Sequence, residues 1–167
     1  TNIHNGQYDV VLDAITDTKF YGPYQFRVLK HAIETQGETK DIDGRVFRTS
    51  DGVFMHVKAR SIDDTSMSLD NEVKNLVKDR TIPEPTVKMV LPIKDSVIEV
   101  NNDGVRSLLA EFMYGWPLKN RTDMVLVTDY EETRYYYKLQ FYRDKLPEGI
   151  RIEQLRQMIM DAQFSYK

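Results

Sequence analysis

The sequence contains no cysteine. That absence excludes disulfides, zinc–thiolate sites, iron–sulfur clusters and cysteine nucleophiles together. It does not fix the compartment, because cytosolic and exported proteins alike can do without thiols. No apolar run approaches the roughly 18 residues that a membrane helix needs, so no membrane-spanning segment is expected. No basic run or stripe occurs either. The 23 Lys and Arg are scattered among 26 Asp and Glu, and the formal net charge is −3. The electrostatic footprint of a nucleic-acid binder is therefore missing. The chain also lacks G-x-S-x-G, P-loop, G-x-G-x-x-G and H-E-x-x-H stretches. Those absences do not decide whether it is an enzyme, but they weigh toward a non-enzyme. His4, His31 and His56 are the only histidines and fall in different segments, so neither a catalytic nor a ligating cluster is expected from them. No cofactor and no metal are expected.

What is present suits one domain. At 167 residues, 41% hydrophobic and 29% charged, the chain can bury a core without a staple. The polar residues 1–7 read as a flexible N-terminus and 8–167 as a single domain. "YDVVLDAI" fits helical and strand spacing alike, and a helix or short irregular element is preferred. "YGPYQFRVLK" reads as extended, with Tyr24, Phe26 and Val28 alternating. In "GRVFRTSDGVFMHVKAR", Asp51-Gly52 between β-branched and aromatic runs predicts a hairpin, with Val53, Met55, Val57 and Ala59 on its core face. "SLDNEVKNLVKDR" predicts an amphipathic helix capped by Ser68, with Leu69, Val73, Leu76 and Val77 on one stripe. "TVKMVLPIKDSVIEV" supplies one or two strands broken near Pro92.

"NNDGVRSLLAEFMYGWP" reads as a helix with Val105, Leu108, Leu109 and Phe112 buried, a left-handed Gly115 at its end and Pro117 beyond. "DMVLVTDYEETRYYYKLQFYRD" predicts a long hairpin turning at Asp129 to Glu132. A last helix carries Ile152, Leu155, Ile159 and Ala162. Asp41-Ile42-Asp43-Gly44 and Asn101-Asn102-Asp103-Gly104 resemble calcium loops only superficially. They lack the glutamate an EF-hand frame requires and are read as turns. The class is α+β: a mainly antiparallel sheet of about six strands flanked by about three helices.

Two aromatic features bear on function. In the late hairpin, alternation puts Tyr135, Tyr137, Leu139 and Phe141 on one face, expected as core, and Tyr136, Lys138, Gln140 and Tyr142 on the other. Tyr136 and Tyr142 either lie beneath a helix or stand open as a docking patch. The only tryptophan, Trp116, sits in a turn after Tyr114 and before the basic Lys119-Asn120-Arg121. It either folds back over the preceding element or anchors a partner, with Tyr114 and Arg121 as neighbours, since Trp, Tyr and Arg dominate binding hot spots.

Three stretches resemble the PsbP-like family. "DGVFMHVKARSIDDTSMSLDNEVKNLV" is similar to its strand, polar loop and helix. "RTDMVLVTDYEETRYYYKLQFYRDKL" is similar to its paired late strands, and "IRIEQLRQMIMDAQFSY" to its closing helix. The family's early aromatic segment is represented only by Tyr24 and Phe26, and nothing matches Val100 to Pro117. The resemblance implies an antiparallel sheet sandwiched between helices and a non-enzymatic accessory role, often outside the cytoplasm. It carries over no binding residue.

The expected function is a non-catalytic domain that binds a protein partner or supports an assembly, plausibly the soluble part of an envelope or secreted protein. The candidate contacts are Trp116, Tyr114, Arg121, Tyr136 and Tyr142. The chain begins Thr1-Asn2-Ile3, so a processed or trimmed N-terminus is expected and an extracytoplasmic location is favoured. The alternative is a cone-shaped NTF-like domain, enzymatic or not, in which Tyr135 and Tyr137 line a small-ligand pocket.

Overall fold

The computed structural model describes residues 6–35, 44–80, 82–84 and 87–165, with the backbone alone for 6–10, 83–84 and 87–89. Among these residues the chain forms α1 (Gly6–Ile15), β1 (Thr16–Tyr21), β2 (Tyr24–Leu29), β3 (Ile33–Thr35), β4 (Arg45–Arg48), β5 (Phe54–Ser61), α2 (Leu69–Lys78), β6 (Ile82–Glu84), β7 (Val87–Val90), β8 (Lys94–Asn102), β9 (Val105–Met113), β10 (Arg121–Tyr130), β11 (Thr133–Tyr142), α3 (Ile152–Met160) and β12 (Gln163–Phe164). The α+β class holds, but the strands make three sheets where one of about six strands was expected. A seven-stranded sheet has the order β3-β4-β5-β11-β10-β9-β8, β1-β2-β12 form a second sheet, and β6-β7 a third. All the pairings are antiparallel.

The large sheet is covered on both faces. On one face the small sheet, Leu12 of α1 and Leu155, Met158 and Ile159 of α3 close a core with Val53, Met55, Val57, Tyr137, Leu139 and Phe141. This is the matched alternation expected of the two hairpins. Aromatic rings fill much of it. Tyr24 stacks on Tyr135 with centroids 5.0 Å apart, and Phe26 meets Tyr137 edge-on at 5.6 Å. On the other face, Leu69 and Val73 of α2, with Leu76 and Val77 at its edge, pack on Leu108, Ala110, Phe112, Val125, Val127 and Tyr136. Ser68 caps α2 as its sequence suggests, its hydroxyl accepting from the Asn71 amide at 3.2 Å.

The largest correction concerns Val105–Met113, which is strand β9 and not a helix. Its two neighbours explain the misreading. β9 lies between β8 and β10, and both its faces are buried: Leu109 belongs to one core, while Leu108, Ala110 and Phe112 belong to the other. A strand buried on both faces loses apolar–polar alternation, and its continuous apolar run then matches helical spacing by accident. The turn before it is real. Asp103 and Gly104 have φ of 50° and 80° and close the β8–β9 hairpin with Asn102 opposite Val105. Both central residues at positive φ suit the twist of a tight hairpin, and glycine takes that conformation at no steric cost. Gly115, expected to be left-handed, is not among the positive-φ residues.

Among the described residues no helix is long and apolar enough to cross a membrane. Of the Asp41–Gly44 turn, only Gly44 lies within the described residues, at φ 92°.

Candidate functional site

The register places Tyr142, Arg121 and Tyr114 in one row across β11, β10 and the end of β9. Arg121 lies opposite Tyr142, and the Tyr114 amide donates to the Arg121 carbonyl at 2.8 Å. The next row holds Asp123, which is wholly buried. Arg121 binds it through two nitrogens at 2.7 and 2.8 Å, and Arg80, just beyond α2, binds it at 3.0 Å. Arg80 also stacks over Phe112 at 5.0 Å and accepts the Tyr114 hydroxyl at its carbonyl at 2.9 Å. A buried carboxylate is tolerated only with such pairing, so Asp123 ties α2 to the sheet. Lys138 sits in the same field. Its burial, then the charges of Arg80 and Arg121, push its ammonium below the usual lysine range.

Arg143 completes the support. It donates to the carbonyls of Arg121 and Tyr114 at 2.7 and 2.9 Å and to the Thr122 hydroxyl at 2.8 Å. The turn from Gly115 to Asn120 is thereby held at both ends. It closes on itself through Leu118 N to Gly115 O at 2.9 Å and Arg121 N to Leu118 O at 3.2 Å. From this held turn Trp116 projects into solvent, 80% exposed. The reading in which it folds back over the preceding element is thus corrected. Ile93 packs beside Gly115, within 3.7 Å of where a β-carbon would stand there, and its amide donates to Met113 O at 2.7 Å. Ile93 and Leu91 are each 68% exposed. Three large apolar side chains therefore face water at this end of the sheet.

Tyr136 is elsewhere on the same face, and α2 buries it. Its hydroxyl donates to Glu72, which also accepts from Arg60 at 2.6 Å. Desolvation, and then that bond to Glu72, push the phenol up to about 12. Arg134 lies one row further on, binding Asp129 at 2.6 and 2.9 Å and the Met67 carbonyl at 2.8 Å. Tyr142 is half-buried, near Gly52 of the β4–β5 turn. The five candidate residues thus separate: Trp116 is presented, Tyr114 and Arg121 hold the turn that presents it, Tyr142 flanks them, and Tyr136 fixes α2.

Arg80, Asp123, Leu91 and Ile93 were not singled out from the sequence. A lone aspartate inside the strand-like run "RTDMVLV" was the available signal, because a charge in a strand with both faces buried must have a partner. His31 stands in a surface depression of about 370 Å³ with Asp51 and Glu148 on its wall, and His56 lies on β5 with its ring 6.0 Å from Phe54. The space a cone-shaped pocket would occupy is filled, because Tyr137 is wholly buried and Tyr135 nearly so among the rings of the first core.

No family model and no curated protein matches the sequence. A solved structure does: the solution structure of cyanobacterial PsbP (CyanoP) from Synechocystis sp. PCC 6803 superposes with a TM-score of 0.64 over 91% of this chain and 94% of that one. The chain has the PsbP-like fold. Sequence identity with the cyanobacterial PsbP is 14%, so what the two share is backbone architecture. The PsbP-like sandwich explains why the early β1–β2 hairpin and the closing α3–β12 segment meet on one face: β12 adds to β2 through Phe164 opposite Tyr24.

Proposed function

We propose that this chain is a non-catalytic accessory domain that docks a protein partner through the Trp116 turn. The observation that carries the reading is Trp116 itself, a large apolar side chain left in water on a turn that Tyr114, Arg121 and Arg143 hold in place. An exposed side chain on a rigid support loses little entropy on binding, and tryptophan leads the residues that dominate binding energy. Ile93, packed beside Gly115, adds exposed apolar surface next to it. The PsbP-like fold agrees with an accessory role. Asp123, Glu72 and Asp129 on this face are each engaged by arginine, so their oxygens go to holding the fold together.

Trp116→Ser tests the reading. The turn's supports do not involve the indole, so the unfolding midpoint should stay within the scatter of replicate melts. Capture of the native partner should weaken about 30-fold or more, as for a hot-spot residue worth ~2 kcal/mol. Unchanged capture, or a marked loss of stability, would remove Trp116 from the role.

A further inference from the structure

The seven-stranded sheet ends at β8 on one side and at the three-residue β3 on the other. β8 is nine residues long and, among the described residues, pairs only with β9. Lys94 to Glu99 are exposed on both faces, and Val97 and Ile98, pointing to opposite faces, are each 43% exposed. A long edge with open backbone donors and acceptors is a template for another strand, and natural proteins usually guard such edges. Here Lys94, Asp95 and Glu99 flank the edge, while Ser96-Val97-Ile98 carry no guard.

The side chains along the edge say what strand would fit. On the α2 face the row reads Asp95, Val97, Glu99, opposite Phe112, Ala110 and Leu108 of β9. It is an acidic–apolar–acidic row, in which Glu99 is partly neutralised by Arg106, itself also bonded to Asp70. On the α3 face Lys94, Ser96 and Ile98 line a groove of about 300 Å³ with Leu109, Met113, Glu111 and Arg156. Glu111 and Arg156 are already paired, at 3.0 and 3.1 Å. We infer that β8 accepts an extended segment of a partner protein with the pattern basic–x–apolar–x–basic, a large apolar side chain at an intervening position lying in the groove. Main-chain bonds to an edge strand give affinity, and alternate side chains give specificity. The two basic residues face Asp95 and Glu99, and the apolar one between them faces Val97. A second copy of this chain fits less well, because two-fold pairing about Val97 would set Asp95 against Glu99 twice.

This inference goes beyond the Trp116 docking turn, and the two fail separately. The probe is a seven-residue blocked peptide, Thr-Lys-Thr-Val-Phe-Lys-Thr, beside a control with Glu in place of both Lys. The expected result is saturable binding of the first peptide, with slowed amide exchange at Ser96–Glu99 and about tenfold weaker binding of the control. The Asp95→Lys/Glu99→Lys variant, altered at two exposed positions, should reverse that preference, and Trp116→Ser should leave it intact. Three results would overturn the inference. One is no binding, or equal binding of both peptides. Another is binding without protection of Ser96–Glu99. The third is protection that grows with protein concentration in the absence of peptide, which would give the edge to a second copy.

Discussion

Tyr137 and Phe141 show how far a single side chain can be argued from physics. Both are wholly buried in the first core, and Tyr137 also donates its hydroxyl to the Arg27 carbonyl. Truncating either to Ala should cost ~3–5 kcal/mol in denaturant unfolding, as for buried aromatics. Near-neutral values for both would put the β11 register off by one. Tyr136, on the opposite face, predicts a pH effect. An unfolded tyrosine loses its proton near 10, whereas burial and the bond to Glu72 push Tyr136 up to about 12 in the fold. Below pH ~10 both states hold the proton. Between ~10 and 12 only the folded state does, so stability falls across that window. Denaturant unfolding at pH 9 to 12 should show a shallower fall in Tyr136→Phe than in the parent chain. Identical slopes would mean that Tyr136 does not titrate as its surroundings require.

Elements were most legible where one face is wet. α2 has a polar side, a capping serine and acids in its first turn, and the sequence displays all three. Ser68→Ala should therefore cost about 1 kcal/mol, read from the unfolding midpoint. No change would mean that the Asn71 amide finds water as readily. The β4–β5 hairpin was legible for the same reason, through alternation and its Asp-Gly turn, and the β10–β11 hairpin, though dry on both faces, was given away by its β-branched and aromatic residues and its acidic turn. β9 was not. With Leu108, Ala110 and Phe112 on one core and Leu109 in the other, no wet face remains to mark a period of two. β1 was missed for the opposite reason, since most of Thr16–Tyr21 is exposed or half-buried and offers no apolar row. In the candidate site the sequence named Trp116, Tyr114 and Arg121. It could not tell that the first is presented while the other two hold it, because that division depends on Arg80, which is distant from the turn in sequence, and on the burial of Asp123, which only the packed sheet creates.

At the scale of the whole molecule, the PsbP-like sandwich buries both faces of the middle of its main sheet, and the docking we propose falls at an end of that sheet. The Trp116 turn is the end that the geometry singles out, and docking there is the central claim. Site-specific photo-crosslinking in cells of the source organism tests it most directly. A benzophenone side chain is installed at position 116, and as a control at position 20, where Phe20 of β1 is half-exposed on the separate three-stranded sheet. The account predicts a discrete protein adduct from position 116 and none of that mass from position 20. No adduct at 116, or the same adducts from both positions, would contradict it.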